Sequence, residues 1–385
     1  MSVTYPQGFR AAGMAVGLKS TGKPDLALVV NDGPHPASAA VFTSNRAQAN
    51  PILWSRKVML QGTARGIVLN SGGANYFTGD FGYETTRLTA EAVAKEITAN
   101  SDEILVCSTG LIGTGDQVFR DKIVNNIGEL VSQLGPDSSA AASAILTTDS
   151  VTKTADYTSE AGWRIGAMAK GAGMLAPGLA TMLVVITTDA QIDDATADRA
   201  LRAATAVSFD RLDSDGCMST NDQVTLLASG ATEVAVDESE FVTALTEVCD
   251  SLAQQLQADA EGASHDIDIE VRGAASAADA IEVGRSVARN NLFKAAIFGN
   301  DPNWGRVLAA IGTTTADFDP YQVDVSFNGV RLCHAGAPDR AVDECDLTPR
   351  KTHVLIDLRS GQSTATIRTN DLTHDYVHEN SAYSS

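Results

Sequence analysis

Short hydrophobic runs that fit strands are interspersed along the chain with longer segments in which hydrophobic residues recur at helical spacing. The runs predict strands at 26–30, 39–43, 66–70, 104–107, 163–169, 182–186, 322–327, 354–358 and 363–369. Helical spacing predicts helices at 83–98, 117–134, 138–146, 192–206, 237–258 and 276–291. Because both kinds of segment occur throughout, without a long low-complexity linker, we expect an α/β fold of layered sheets and helices.

Length and charge narrow the classes of function. The chain has 385 residues, enough for two domains or one large α/β body, and 44% of them are hydrophobic. Its formal net charge of −20 disfavours nucleic acid and anionic membranes as partners, because both select clustered Lys and Arg. A small anionic substrate remains compatible, since a local site can be basic within an acidic protein.

Cysteine usage and the first residues indicate a cytoplasmic protein. The five cysteines are scattered and lack CxxC spacing, which disfavours both a zinc ribbon and a disulfide framework: Cys107, Cys217, Cys249, Cys333 and Cys345. The sequence from Met1 to Arg10 lacks the apolar core of a signal peptide. No apolar run approaches the ~20 residues of a membrane span. A reducing compartment is therefore the expected location.

The most informative stretch runs from Lys170 to Ile186, where a loop rich in glycine precedes an apolar strand. Thr181 lies at the junction, directly after Ala180. Its hydroxyl could attack the Ala180 carbonyl, take over the acyl group and let water cut the chain. The new α-amino group of Thr181, with a reference pKa of roughly 7.7–8.0, would then be a base beside the hydroxyl. The residue types alone fit an ordinary glycine loop before a core strand equally naturally, and such loops are more common.

Two other sequence patterns resemble known catalytic or metal-binding motifs. Gly17 to Pro24 nearly matches the phosphate-binding loop of ATPases, but Pro24 replaces the Mg²⁺-binding hydroxyl and no long helix is predicted to follow, which disfavours an ATP site. His374 and His378 are four residues apart, but the surroundings show no helical pattern and lack the zinc-protease glutamate, so a polar tail is expected rather than a metal site. The nucleophile segment contains no histidine, which leaves a Ser-His-Asp triad unsupported.

The predicted strand at 104–107 leads into Ser108, Thr109 and Gly110. A strand end of this kind can aim a hydroxyl and a backbone N–H at one point, as an oxyanion hole requires. On residue types alone, a simple turn at the end of the strand is the more common outcome.

The central stretch resembles the nucleophile segment of the ornithine acetyltransferase (ArgJ) family in its residue pattern, Lys170-Gly-x-Gly-Met-x-x-Pro-x-x-Ala-Thr-Met-Leu183. Further blocks occur in the family's order over nearly the full length: Ser108-Thr-Gly-Leu-Ile-Gly113, Thr147-Thr-Asp149, Ser219-Thr-Asn-Asp222, Asp259-Ala-Glu-Gly262, Asp301-Pro-Asn-Trp-Gly-Arg306 and Asn380-Ser-Ala-Tyr-Ser-Ser385. Together they make the resemblance strong, although each alone would be weak.

The resemblance implies an N-terminal-nucleophile fold that cuts itself between Ala180 and Thr181, giving an α chain (1–180) and a β chain (181–385). Thr181 would take the acetyl group from N²-acetylornithine and pass it to glutamate, with Thr109 and Gly110 as the oxyanion hole. No metal or redox cofactor is implied. Some family members also accept acetyl-CoA, and the sequence leaves open whether this one does. The family further implies association of the chains, as a heterotetramer of two α and two β chains.

Substrate-binding residues also follow from the resemblance: Thr147 or Thr148, Lys170, Thr181, Glu261, Asn380 and Ser385. Of the two threonines, Thr147 is preferred. The chain departs from the family at Ser150-Val-Thr-Lys153, where a proline before the lysine is frequent, and at Ser385, where many relatives have threonine. Lys170 would hold a substrate carboxylate or bias the Thr181 amine towards its neutral form.

Two alternatives to an acetyltransferase stay open on the sequence. An N-terminal-nucleophile amidase or aminopeptidase would process itself in the same way and give the acyl group to water. An uncleaved α/β binding protein would use the glycine loop only to hold an anion.

Overall fold

The computed structural model describes residues 2–176 and 182–382. Its strands are β1 (Phe9–Met14), β2 (Leu26–Asn31), β3 (Ala37–Phe42), β4 (Gly66–Ser71), β5 (Ile104–Thr109), β6 (Lys153–Thr158), β7 (Arg164–Lys170), β8 (Leu183–Thr188), β9 (Gln223–Ala228), β10 (Asp266–Ala274), β11 (Asp324–Phe327), β12 (Val330–His334), β13 (Ala337–Pro338), β14 (Lys351–Asp357) and β15 (Ser363–Asn370). Among the described residues, no helix is long and apolar enough to cross a membrane.

The helices are α1 (Asn50–Gln61), α2 (Gly79–Ile97), α3 (Gln117–Val124), α4 (Ile127–Ser132), α5 (Ser139–Ala144), α6 (Asp194–Val207), α7 (Glu238–Ala258), α8 (Ala277–Ala288), α9 (Asn291–Phe298), α10 (Trp304–Ile311) and α11 (His374–Ala382). Asp and Asn side chains accept the free N–H groups at several helix starts. Asp193 caps α6, for example, and Asp237 caps α7.

The strands form three sheets. The first has the order β1-β2-β4-β5, the second β3-β9-β8-β7-β6, and the third β13-β12-β11-β14-β10-β15. Helix α1 contacts β5 and β3, and α5 contacts β1, β2 and β7, so these helices join the first sheet to the second. Helices α6 and α7 cover the second sheet, while α8 packs on β10 and β15 of the third. The predicted layered α/β fold is therefore confirmed.

The second sheet is packed against hydrophobic side chains on both of its faces. Successive residues of a strand point to opposite sides, so neighbouring residues of one strand join different cores. On β8, Leu183 and Val185 join the core of the first sheet, whereas Val184 and Ile186 join the core beneath α6 and α7. Strand β8 lies between β7, its antiparallel neighbour, and β9, its parallel neighbour. The strand that follows the glycine loop is thus buried at the centre of the molecule.

The structure differs from the predicted elements in several places. The helix predicted at 117–134 is two helices, α3 and α4, separated at Asn125 and Asn126. The expectation that His374 and His378 lie in a tail without helical structure is wrong, because both belong to α11. The sequence-based prediction lacks strand β10, although its buried residues Ile267, Ile269 and Val271 alternate with polar ones. It also lacks strand β9, which directly follows the polar turn Ser219 to Asp222.

Candidate active site

The end of β5 forms a tight polar corner with the turn after β4. These strands are parallel, with Ser71 opposite Thr109. The Thr109 carbonyl accepts the N–H groups of Gly72 at 2.9 Å and Gly73 at 3.0 Å, which closes the turn over the strand end. At Gly110 φ is +122°, and a Cβ there would lie 2.6 Å from the Gly73 nitrogen, so the corner requires glycine. The buried Thr109 side chain and Gly110 are therefore held in a fixed arrangement.

The segment that leads into β9 of the second sheet braces this corner. The Asn221 amide Nδ2 donates to the carbonyls of Ala74 at 2.7 Å and Ser108 at 2.9 Å. The Ser108 hydroxyl in turn donates to Asn70 Oδ1 at 2.6 Å. Thus Ser219 to Asp222 leads into β9 and ties two sheets together. The other polar block, Asp301 to Arg306, begins a helix instead, since Asn303 caps α10 by accepting the N–H of Arg306.

Strand β7 delivers Lys170 to the same place. Its side chain is 1% exposed, and Nζ donates to Thr109 Oγ1 at 3.3 Å. Across the ladder Lys170 is opposite Leu183, so β8 begins beside the lysine. Burial lowers the pKa of Lys170, and the negative charges of Asp149, Asp222 and Glu261 oppose that effect.

Asp149 is a site residue that the sequence pointed to only as part of a motif. Its Oδ1 accepts from Lys153 Nζ and from the Gly171 N–H, both at 2.6 Å, and its Oδ2 lies 4.0 Å from Lys170 Nζ. Burial alone would raise the pKa of Asp149, but the charges of Lys170 and Lys153 and the Gly171 N–H together lower it to about 2. The carboxyl is therefore ionised at neutral pH.

Asp222 was not predicted as a site residue, yet it holds the residue directly before β8. Its Oδ1 accepts the N–H of Met182 at 3.1 Å. Burial raises the pKa of Asp222 well above its usual range, although Met182 and Lys170 favour the ionised form. The sequence signal was its place in the Ser219 to Asp222 block, which carries no local indication that it contacts Met182.

Glu261 lies just beyond α7, against the glycine loop. Its N–H donates to the Ala172 carbonyl at 3.0 Å, and a Cβ on Gly173 would lie 2.6 Å from its carboxyl oxygens. Burial raises the pKa of Glu261, whereas hydrogen bonds from Thr148 and Asn380 lower it. These contacts bring three of the predicted substrate-binding residues together.

A cleft of about 520 Å³ opens beside Glu261, between the end of α7 and α11. Its lining includes Thr148, Glu261, Phe298, His374 and Glu379. Thr147 is placed differently, since its backbone N–H donates to Asp149 Oδ2 at 3.1 Å and it does not line this cleft. The structure thus places Thr148, rather than the preferred Thr147, at the cleft.

The structure brings together two groups of predicted site residues. Thr109, Gly110 and Lys170 form the corner, while Thr148 and Glu261 line the cleft and Asn380 donates a hydrogen bond to Glu261. The charge of Glu261 also reaches Lys170. Ala180, Thr181 and Ser385 lie outside the described residues. Their predicted roles therefore stay predictions.

The segments that resemble a phosphate-binding loop and a histidine metal site make ordinary structural contacts. The loop from Gly17 to Pro24 leads into β2, with the Asp25 carboxylate accepting the N–H groups of Val16, Leu18 and Lys19. The His374 ring packs edge-on against Phe298. Within residues 2–176 and 182–382, no three His, Cys, Asp or Glu side chains are arranged to hold a metal ion.

Comparison with known proteins supplies the family. The model of the ArgJ family matches residues 10–385. This chain belongs to the ArgJ family. It is 58% identical to a protein of Streptomyces avermitilis and 54% identical to one of Thermobifida fusca, over the full length of both partners in each case. A Mycobacterium leprae protein is 49% identical over all of this chain and 96% of its own. All three are named arginine biosynthesis bifunctional protein ArgJ.

Solved ArgJ structures align with parts of the chain. Ornithine acetyltransferase of Mycobacterium tuberculosis, complexed with ornithine, is 44% identical with a TM-score of 0.45, covering 47% of this chain and 96% of that one. ArgJ of Bacillus halodurans is 33% identical with a TM-score of 0.49, covering 51% of this chain and 97% of that one. The ArgJ resemblance found in the sequence blocks is confirmed by the family match.

Proposed function

We propose that this ArgJ-family chain transfers an acetyl group from N²-acetylornithine to glutamate in arginine biosynthesis, through an acetyl-Thr181 intermediate. The full-length relatives named arginine biosynthesis bifunctional protein ArgJ support the pathway. The observation that carries the chemistry is the corner at which Lys170 contacts Thr109, beside the start of β8. The Thr109 hydroxyl and the Lys170 ammonium meet there, with Gly110 next in the chain, and hydrogen-bond donors of this kind stabilise the oxyanion of acyl transfer.

The proposal includes self-cleavage between Ala180 and Thr181, giving chains 1–180 and 181–385. Strands β3, β6 and β7 precede that bond, while β8 and β9 follow it, and all five belong to one sheet. The two products would therefore remain associated through backbone ladders and a shared core. We further propose a heterotetramer of two such pairs and a cytoplasmic location.

In the first half-reaction the Thr181 hydroxyl attacks the acetyl carbonyl of N²-acetylornithine, and the Thr181 α-amine takes the hydroxyl proton. The carbonyl oxygen becomes an oxyanion that accepts hydrogen bonds from the Thr109 hydroxyl and the Gly110 N–H. When the carbon–nitrogen bond breaks, ornithine leaves with a proton returned to its amine. The glutamate amine then attacks acetyl-Thr181, and the same groups act in reverse.

The cleft beside Glu261 fits the amino-acid part of the substrates. Glu261, Thr148 and Asn380 present a carboxyl, a hydroxyl and an amide within one hydrogen-bonded group. Such groups can pair with the ammonium and carboxylate of ornithine or glutamate. Lys170, Thr147 and Ser385 complete the proposed set of binding residues, and no metal or redox cofactor is part of the proposal.

The name bifunctional, carried by the relatives, motivates acetyl-CoA as a second acetyl donor. The proposed route for it uses the same acetyl-Thr181 intermediate, with coenzyme A as the leaving thiol in place of ornithine. Glutamate N-acetylation with acetyl-CoA as the sole donor would establish this activity, and the absence of product would restrict the enzyme to acetylornithine.

The function is tested by mixing purified protein with N²-acetylornithine and glutamate and measuring N-acetylglutamate and ornithine. Equal amounts of both products are expected, with none from a Thr181→Ala variant. Acetate release without a need for glutamate would instead indicate a hydrolase. An intact, inactive chain on a denaturing gel would indicate the binding protein.

A further inference from the structure

A chain of charged side chains extends from the oxyanion corner through Asp149 and Lys153 to Asp259, which lines the cleft. Lys153 Nζ lies 2.6 Å from Asp149 Oδ1 and 2.5 Å from Asp259 Oδ2. Asp149 Oδ2 lies 4.0 Å from Lys170 Nζ, which donates to Thr109 Oγ1 at 3.3 Å. The Asp149 and Lys153 side chains are 0% exposed. Neither therefore presents a side chain to the cleft, although the charges they hold reach the reaction centre.

The contact between Lys170 and Thr109 has only one hydrogen-bond direction while the lysine is protonated. An ammonium group has donors and no acceptor, whereas a hydroxyl has one donor and two acceptor positions. Thr109 Oγ1 must then accept from Lys170. The hydroxyl proton of Thr109 is consequently free to point at another acceptor, and a developing oxyanion is the acceptor that the reaction supplies.

This arrangement depends on Lys170 keeping its proton in a buried site. Burial lowers its pKa, and Lys153 and Lys19 add positive charge nearby. Asp149 is the foremost opposing charge, followed by Asp222 and Glu261, whose own pKa values are raised by burial. Asp149, by contrast, is held ionised by Lys153 and the Gly171 N–H as well as by Lys170 itself.

We propose that Asp149 and Lys153 are positioning residues for the oxyanion hole: they hold the Lys170 ammonium against Thr109 Oγ1, which turns the Thr109 hydroxyl proton towards the acetyl oxygen. The inference rests on the proposed acetyl transfer. It assigns Lys170 a task in the transition state, in addition to substrate binding. Lys153 acts through Asp149, because its ammonium fixes the orientation of that carboxylate.

A double-mutant cycle tests this coupling in the complete, processed enzyme. Asp149→Asn is measured in the wild type and in Thr109→Val, which lacks the hydroxyl that Lys170 is proposed to orient. In the wild type the substitution should lower kcat by about 10–100-fold with little change in KM. In Thr109→Val it should lower kcat by less than about twofold, because the group through which it acts is already absent.

The pH profile gives a second readout that a purely structural defect would not produce. Removal of the Asp149 charge lowers the pKa of Lys170 further, so the alkaline limb of kcat should move to lower pH. Asp259→Asn is the control for the pH profile, because it removes the other carboxylate on Lys153 and leaves Asp149 facing Lys170. Its alkaline limb should stay at the wild-type position. Because Asp259 also lines the cleft, only the position of the alkaline limb of kcat is compared in this variant, and KM is not.

Equal loss of kcat from Asp149→Asn in both backgrounds would overturn the inference, as would raised KM with unchanged kcat. Thermal melting monitors folding, and Lys153→Met takes the place of Asp149→Asn in the same cycle if the latter does not fold. Absence of acetyl transfer by the wild type would overturn the proposed function and this inference together, whereas additivity in an active enzyme overturns this inference alone.

Discussion

The Thr109 hydroxyl is proposed to act mainly in the transition state, and its removal gives a quantitative prediction. Thr109→Val keeps a β-branched side chain in the buried corner, so the strand end and the Gly110 N–H should stay in place. One of two donors to the oxyanion is lost. Loss of one such donor typically costs about 10²–10³ in turnover, or about 2.7–4 kcal/mol. We therefore expect kcat to fall by that factor while KM changes little.

The assay is steady-state formation of N-acetylglutamate by protein confirmed as fully processed on a denaturing gel. Thr109→Ser is the matched control, because it retains the hydroxyl and should recover most of the activity. Raised KM with unchanged kcat in Thr109→Val would refute the reasoning, since it would make Thr109 a binder of the ground state. Near-normal kcat in the valine variant would leave the oxyanion hole unassigned.

Two further predictions concern the loop and the buried carboxylate. Gly173→Ala places a Cβ 2.6 Å from the Glu261 carboxyl oxygens and should therefore raise KM for N²-acetylornithine. Gly128→Ala is the control, because its Cβ would meet nothing closer than 3.9 Å, and it should match the wild type in the same assay. The pKa of Asp149 in the folded protein is about 2, below its ordinary 3.8. The ionised carboxyl therefore contributes about 2–3 kcal/mol to the free energy of unfolding above pH 4, and this contribution is lost as the pH falls from about 4 to about 2. In the uncleaved Thr181→Ala background, urea unfolding should therefore show the advantage of Asp149 over Asp149→Asn shrinking as pH falls through that range, and a gap independent of pH would contradict the assignment.

Much of the fold could be predicted because periodicity reports burial directly. Strands β2, β4 and β5 are continuous apolar runs that stop at polar turns, and the structure places them within about one or two residues of the predicted bounds. Helix α11 was missed because it buries no residue, so it carries no amphipathic pattern. At its start the Thr373 hydroxyl accepts the N–H of Tyr376, and the His374 ring contacts Phe298 of α9, a residue distant in sequence.

The parts of the candidate site that are local in sequence could be predicted, whereas its long-range contacts could not. The corner at Thr109 and Gly110 is local, since a strand and its following turn are contiguous in sequence. The bracing by Asn221 spans 113 residues to Ser108, and the ion pair from Lys153 spans 106 residues to Asp259, so neither contact has a local signature. Thr147 and Thr148 are chemically identical neighbours, and only the turn geometry decides which of them reaches the cleft.

The two alternative functions differ from the proposed one in measurable ways. A hydrolase would give the acyl group to water instead of glutamate, and a binding protein would not cleave itself. Amidases and aminopeptidases of the N-terminal-nucleophile type also need an oxyanion hole, so the corner at Thr109 does not separate them from an acetyltransferase. Full-length identity of 49–58% to proteins named for arginine biosynthesis favours the transferase. A binding protein could use the Lys170 ammonium to hold an anion, but it would remain one uncleaved chain, which a denaturing gel distinguishes from the two processed chains.

The central claim is that Thr181, released as a chain terminus, carries the acetyl group. The most direct measurement is mass spectrometry of the enzyme after mixing with N²-acetylornithine alone, followed by sequencing of the modified fragment. The account predicts one acetyl group on a fragment that begins Thr-Met-Leu-Val, with release of ornithine before any glutamate is added. An acetylated species that forms only when glutamate is present, or an active protein that remains one uncleaved chain, would contradict it.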